Sequence, residues 1–135
     1  MASALKAATL YFAIVFAAGF ALGTLRVLAV IPVIGELAAV ALEVPVILAV
    51  SWFVCRRLAM RFSVPPETGP RMAMGALAFG FLMLAEFALS IFLFGRSGAA
   101  YFALLQTPPG LLGLAGQIAF ALLPIIQLKK EFNVL

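Results

Sequence analysis

The chain has 135 residues, of which 66% are apolar and 10% charged, and its formal net charge is +4. Globular domains are about half apolar and about a quarter charged, so a water-soluble fold of this length could not bury so much apolar surface. Histidine is absent and only one cysteine is present, which excludes the usual haem, zinc and histidine-triad chemistry and predicts neither a cofactor nor a metal site.

Charges and Pro/Gly-rich stretches divide the chain into four apolar segments. The first covers about residues 5–30, and its apolar run is longer than that of a signal peptide, so it is interpreted as a membrane span. The others cover about 36–55, 72–94 and 111–128. Each reaches or approaches the roughly 20 residues that a helix needs to cross a bilayer. The sequence therefore predicts an all-α, integral membrane four-helix antiparallel bundle that forms a single domain over residues 1–135.

The segment between the third and fourth spans is apolar but too short to cross. Residues 98–106 follow Ser97, a good helix N-cap, and are followed by Pro108 and Pro109. We expect a short interfacial helix here, with Tyr101 and Phe102 in contact with the membrane. It is either a lid over the outer end of the bundle or a plain connector on the membrane surface.

The distribution of basic residues predicts the orientation of the four spans. Two arginines, Arg26 and Arg96, lie on one side. The other seven basic residues lie on the side of the two termini and the middle loop: Lys6, Arg56, Arg57, Arg61, Arg71, Lys129 and Lys130. By the positive-inside rule both termini are cytoplasmic. The basic residues flank spans and form no separate domain, so they indicate a membrane surface and not nucleic acid.

Three polar side chains are predicted at one depth in the outer half of the bilayer. At about 1.5 Å per residue, Glu43 lies about 10 Å, Glu86 about 12 Å and Gln117 about 9 Å from the outer end of their spans. The first span contributes Arg26, which lies on one helical face with Gly19 and Gly23. Small residues at this spacing favour close helix packing.

A polar cluster that opens outward is therefore predicted, with the members Arg26, Glu36, Glu43, Glu86 and Gln117. One interpretation is a salt-bridge and hydrogen-bond network that fixes the register of the helices. Another is a site for a ligand, a lipid headgroup or a cation, since ionisable residues inside a membrane are costly and often functional. Catalysis is a third. Glu36 has an alternative role at a helix start, where an acid suits the helix dipole.

The pattern R…P..GE…E.P is formed by Arg26, Pro32, Gly35, Glu36, Glu43 and Pro45. In this pattern the chain resembles a group of small, uncharacterised four-span inner-membrane proteins of proteobacteria. The resemblance implies a multi-pass protein of the bacterial inner (cytoplasmic) membrane. It carries over no catalytic or binding residue.

Three functions are compatible with these features. The first is a non-enzymatic assembly or accessory module that contacts membrane lipid and forms a homo-oligomer or part of a larger membrane complex. The second is an oligomeric small transporter or a proton- or cation-coupled carrier that uses Glu43 and Glu86. The third is a protein or enzyme that binds a lipid or other amphiphile at the outer cluster, with Arg26 as an anion clamp.

Overall fold

The computed structural model describes residues 2–134, with side chains described for residues 2–128. Five helices account for nearly all of this part of the chain: α1 (Ala2–Ile34), α2 (Glu36–Arg61), α3 (Thr68–Leu93), α4 (Gly98–Leu105) and α5 (Pro108–Val134). No strand occurs among the described residues. Four of the helices, all but α4, are long and apolar enough to cross a membrane. The prediction of an all-helical protein with four candidate spans is confirmed.

The spans are longer than the apolar segments of the sequence. Helix α2 continues into polar residues up to Arg61 and α3 begins at Thr68, whereas α1 continues through the apolar residues Ile31–Ile34. The second span begins at Glu36, the predicted position, but extends to Arg61 instead of residue 55. The first extends to Ile34 instead of residue 30, through a π-helical stretch at Arg26–Val30. Pro32 in the next turn has no N–H to donate to the preceding turn, and the helix widens just before it.

A single glycine separates α1 from α2. Gly35 has φ 85° and ψ 166°, a backbone region that is essentially restricted to glycine. Its N–H still donates to the carbonyl of Ile31 at 2.8 Å, which closes the end of α1. Only this one residue separates the two helices, and α1 and α2 pack as neighbours.

The four long helices form a ring in which α1 contacts α2, α2 contacts α5, α5 contacts α3 and α3 contacts α1. The tightest contact in this ring lies between α3 and α5 at Gly75. A Cβ atom added there would stand 2.0 Å from the carbonyl oxygen of Ala121. Only glycine permits this approach, so α3 and α5 meet backbone to backbone at this level.

The well-packed core fills one end of the ring. Tyr11, Cys55, Met74 and Ala78 are fully buried there. Tyr11 reaches across the ring from α1 to α5, stacks on Phe120 and donates its hydroxyl to the Phe120 carbonyl oxygen at 2.7 Å. The other end of the ring is not filled by side chains, and this is where the predicted polar residues lie.

Arg71 at the start of α3 is part of this core end. The positive-inside count places it at the membrane surface, but its side chain is only 3% exposed. Its Nη1 donates to the carbonyl oxygen of Pro124 at 3.3 Å. Arg71 therefore links α3 to α5. It is also one of the seven basic residues that the positive-inside count assigns to the side of the two termini.

Candidate functional site

The unfilled end of the ring encloses a cavity of about 540 Å³ bordered by all four long helices. Most of its wall is apolar. The apolar wall includes Val15, Phe16, Ile47, Leu82, Leu89 and Phe120. The cavity begins at the Tyr11–Phe120 stack, since Phe120 forms part of its wall. Apolar cavities in proteins are typically dry and accept apolar ligands.

The ion pair of Arg26 and Glu43 lies in the wall of this cavity. Arg26 Nη1 donates to Glu43 Oε2 at 2.5 Å, a charge-assisted hydrogen bond between α1 and α2. The side chains are 30% and 15% exposed respectively. Each charge is therefore compensated by the other, as required for ionisable groups far from water.

Glu86 has a different partner. Gln117 Nε2 donates to Glu86 Oε2 at 2.5 Å, which joins α3 to α5. Glu86 also interacts electrostatically with Arg26 and with Glu43. The structure thus brings together Arg26, Glu43, Glu86 and Gln117 around one cavity. The two glutamates are bonded to separate partners.

Glu36 lies at the edge of this group. It is the first residue of α2 and is exposed, which fits the helix-start role that its sequence position indicates. It does line a second cavity, of about 360 Å³, together with Arg26, Glu86 and Gln117. Glu36 is therefore a rim residue and makes none of the hydrogen bonds that hold the other four members together.

Gly19 and Gly23 do not mediate the close helix packing that the sequence predicts. A Cβ atom at Gly19 would come no nearer than 3.9 Å to Ile47, and one at Gly23 would lie 3.8 Å from the Arg26 guanidinium. Both distances are ordinary contacts, because these glycines face the cavity and not a neighbouring backbone. Their small size leaves cavity volume open and gives the Arg26 side chain room.

The second cavity lies between the ends of the spans and α4. Its wall includes Ser90, Tyr101 and Gly113 in addition to the polar residues shared with the first cavity. Ser90 belongs to a π-helical stretch, Leu89–Leu93, at the end of α3. Such stretches are rare and occur frequently at functional sites. The short helix α4, with Ser97 accepting from the Ala100 N–H at 3.1 Å, covers this cavity and holds Tyr101 against Phe87.

Several buried polar atoms on these cavity walls have no hydrogen-bond partner. They are Arg26 Nε, Ser90 Oγ, Tyr101 OH and Gln117 Oε1. Burial and the neighbouring Glu86 carboxylate raise the pKa of the Tyr101 phenol, so this hydroxyl keeps its proton at neutral pH. Buried polar groups are nearly always hydrogen-bonded in native proteins, and the convergence of four exceptions on one region indicates a place for a polar group.

Ser90 and Tyr101 were not among the predicted members of the site. The sequence does place Ser90 on the inward stripe of the third span together with Glu86, four residues earlier, but it does not show that the hydroxyl reaches a cavity. Tyr101 was expected to contact the membrane, but its hydroxyl is buried against the second cavity. Nothing in the sequence fixes how α4 folds back over the bundle.

The fold and the site define the class of the protein: an all-helical, multi-pass membrane protein with a mainly apolar cavity inside its helix ring and a few polar side chains in the cavity wall. Comparison with models of known families, with curated proteins and with solved structures found no match. Among the described residues, no group of three or more acidic or cysteine side chains could hold a metal ion.

Proposed function

We propose that this protein binds a single-chain amphiphile inside its helix ring, with the apolar chain in the first cavity and the polar end at the cluster of Arg26, Glu43, Glu86 and Gln117. The observation that carries the proposal is the wall that the two cavities share. A mainly apolar cavity has polar side chains in part of its wall, and three of them, Arg26, Glu86 and Gln117, also line a smaller and more polar cavity.

The size and the lining of the first cavity support this function. Its volume of about 540 Å³ falls within the range of about 300–1,000 Å³ that is typical of small-molecule sites. Such sites are mainly apolar with a few placed polar groups, and the first cavity has this composition. A ligand of this shape would fill space that the protein's own side chains leave open.

Arg26, Glu86 and Gln117 belong to the walls of both cavities. A polar end that stands between these residues would reach their free hydrogen-bonding atoms, while its chain extends toward Phe120. In one pose, the proposed ligand would therefore hydrogen-bond to the unpartnered polar atoms and contact the apolar wall.

We place the bundle in the bacterial inner membrane as an antiparallel four-helix bundle with cytoplasmic termini. The distribution of seven basic residues against two supports this orientation, and the resemblance to proteobacterial four-span proteins supports the location. The cluster then lies in the outer half of the bilayer, and α4 lies over it at the outer surface.

The other two functions stay predictions. The exposed apolar side chains of the four spans suit lipid as well as a protein partner, so they do not favour an assembly module over a protein that is free in the membrane. For a carrier, Glu43 and Glu86 were expected to act as a pair, but Glu43 is bonded to Arg26 and Glu86 to Gln117.

The proposal is tested with a neutral, photoactivatable dodecyl glycerol ether and protein in phosphatidylcholine nanodiscs. After illumination, mass spectrometry locates the labelled residues. We expect labels on cavity residues such as Phe16 and Leu82. Gly113→Phe should abolish them, because a side chain at Gly113 points into open space on the wall of both cavities.

Gly80→Phe is the matched control. Gly80 also lies inside a long helix with nothing within 4 Å of an added Cβ, but it is not part of either cavity wall. Cavity labelling should survive this substitution. Labels confined to outward-facing residues such as Phe92, which is 86% exposed, or equal labelling of the cavity in both variants would overturn the proposal.

A further inference from the structure

We propose that the polar end of the bound amphiphile is an ammonium group and that Glu86 is its anionic partner. This inference rests on the proposed function, since it specifies the chemical class of the ligand in the same site. The class is a single-chain cationic amphiphile, defined by an amine next to an apolar chain that fits the volume of the first cavity, about 540 Å³.

The first argument for an ammonium group comes from the charges of the cluster. Arg26 and Glu43 neutralise each other through a direct ion pair. Glu86 is hydrogen-bonded to the neutral amide of Gln117. Of the two carboxylates in this four-residue cluster, Glu86 is the one without a bonded cation, and it lies on the wall of both cavities, whereas Glu36 lies at the exposed rim.

The second argument comes from the unpartnered hydrogen-bond acceptors near Glu86. Because Gln117 uses its Nε2 to donate to Glu86, its Oε1 remains, and this buried oxygen has no partner. The Ser90 hydroxyl has no partner either, although Ser90 is only 4% exposed, and it lines the second cavity. The unpartnered Tyr101 hydroxyl lines the same cavity.

An ammonium group has three N–H donors and no acceptor. The Glu86 carboxylate, Gln117 Oε1 and one of the two hydroxyls can accept these three donors. The ring of Tyr101, which also lines the second cavity, adds a face that attracts cations. The site thus offers an anion, neutral acceptors and an aromatic face to a single cationic group.

An anionic headgroup fits the same residues poorly. It would approach the Glu86 carboxylate, and the Arg26 guanidinium is already bonded to Glu43. Arg26 Nε is the one cationic donor among the four unpartnered atoms on the cavity walls. Arg96, the other arginine of the second cavity, is exposed and stands over the Phe94 ring at 5.0 Å.

The experiment measures competition against the neutral photoprobe in phosphatidylcholine nanodiscs, with competitor expressed as a mole fraction of lipid. The competitors share one chain and differ in charge: dodecylamine, dodecanol and dodecanoate. In the native protein, dodecylamine should displace the probe at a mole fraction at least about tenfold lower than dodecanol, as expected for hydrogen bonds to a charged group. Dodecanoate should be the weakest of the three.

Glu86→Gln should remove the advantage of dodecylamine over dodecanol, a ratio that is measured within each variant against that variant's own labelling by the neutral probe. Glu36→Gln removes the same formal charge at the exposed rim and should change the ratio by less than about twofold, because water and salt screen an exposed carboxylate. Glu43→Gln leaves Arg26 without its acid, so dodecanoate should gain affinity in that variant. If Glu86→Gln does not fold, Ser90→Ala is used, with an expected loss of about threefold for dodecylamine.

Equal displacement by dodecylamine and dodecanol in the native protein, or an unchanged ratio in folded Glu86→Gln, would overturn the ammonium inference and leave amphiphile binding in place. A preference for dodecanoate would overturn it and assign the site to anions. If the neutral probe never labels the cavity, the proposed function itself fails, and this inference fails with it.

Discussion

At the scale of single residues, Tyr11 compensates for a proline in the core. Pro124 lies inside α5 and has no N–H to donate to the carbonyl of Phe120, four residues earlier. The Tyr11 hydroxyl donates to that carbonyl from α1 at 2.7 Å. Tyr11→Phe leaves the carbonyl buried and unsatisfied, and we expect the free energy of unfolding in detergent to fall by about 0.5–2 kcal/mol.

Two further variants distinguish the loss of the Tyr11–Phe120 hydrogen bond from the mere loss of a buried hydroxyl group. Tyr101→Phe removes a buried hydroxyl that has no partner, so it should leave the unfolding free energy nearly unchanged. In a Pro124→Ala background, residue 124 regains an N–H for Phe120, and Tyr11→Phe should then cost less than in the native chain. Equal costs in the two backgrounds would contradict this role of Tyr11.

At the scale of elements, the contact of α3 with α5 depends on Gly75. A methyl group there would stand 2.0 Å from the Ala121 carbonyl oxygen, so Gly75→Ala must push the two helices apart. We expect a loss of about 1–3 kcal/mol in unfolding free energy, the usual cost of overpacking. The measurement is unfolding in mixed detergent micelles, with helix content followed by circular dichroism.

Gly80→Ala on the same helix is the control, since a methyl group there meets no atom within 4 Å. It should leave stability unchanged or raise it slightly, because alanine favours a helix more than glycine does. A similar loss in both variants would mean that glycine itself, and not the approach of α5, determines the effect at Gly75.

The four long helices could be predicted from the sequence because apolar runs of about 20 residues have few alternatives in a bilayer. The common depth of Glu43, Glu86 and Gln117 followed from helical rise alone. Which side chains pair could not be predicted, because pairing depends on the order of helices around the ring. The cavity could not be predicted either: Gly19 and Gly23 suggested close packing of helices, whereas in the structure both lie on the cavity wall.

At the scale of the whole molecule, the two ends of the helix ring differ in how they are packed in the described part of the chain. One end is a packed core that holds the ring together through Tyr11, Arg71 and the Gly75 contact. The other end leaves volume open and concentrates the polar side chains there. For the site proposed above, the orientation of the bundle decides which side of the membrane its open end faces.

The proposed orientation predicts which loops an impermeant maleimide can reach in spheroplasts of a bacterial expression host. The native chain gives the background level of maleimide labelling, because its single cysteine, Cys55, is buried. Gln106→Cys, an exposed position just after α4, should be labelled in intact spheroplasts, because the positive-inside rule puts this loop outside. Glu67→Cys, exposed in the loop before α3, should be labelled only after lysis. The reverse pattern would invert the bundle and open the cluster to the cytoplasm, and labelling of both positions in intact spheroplasts would contradict an odd number of crossings between them.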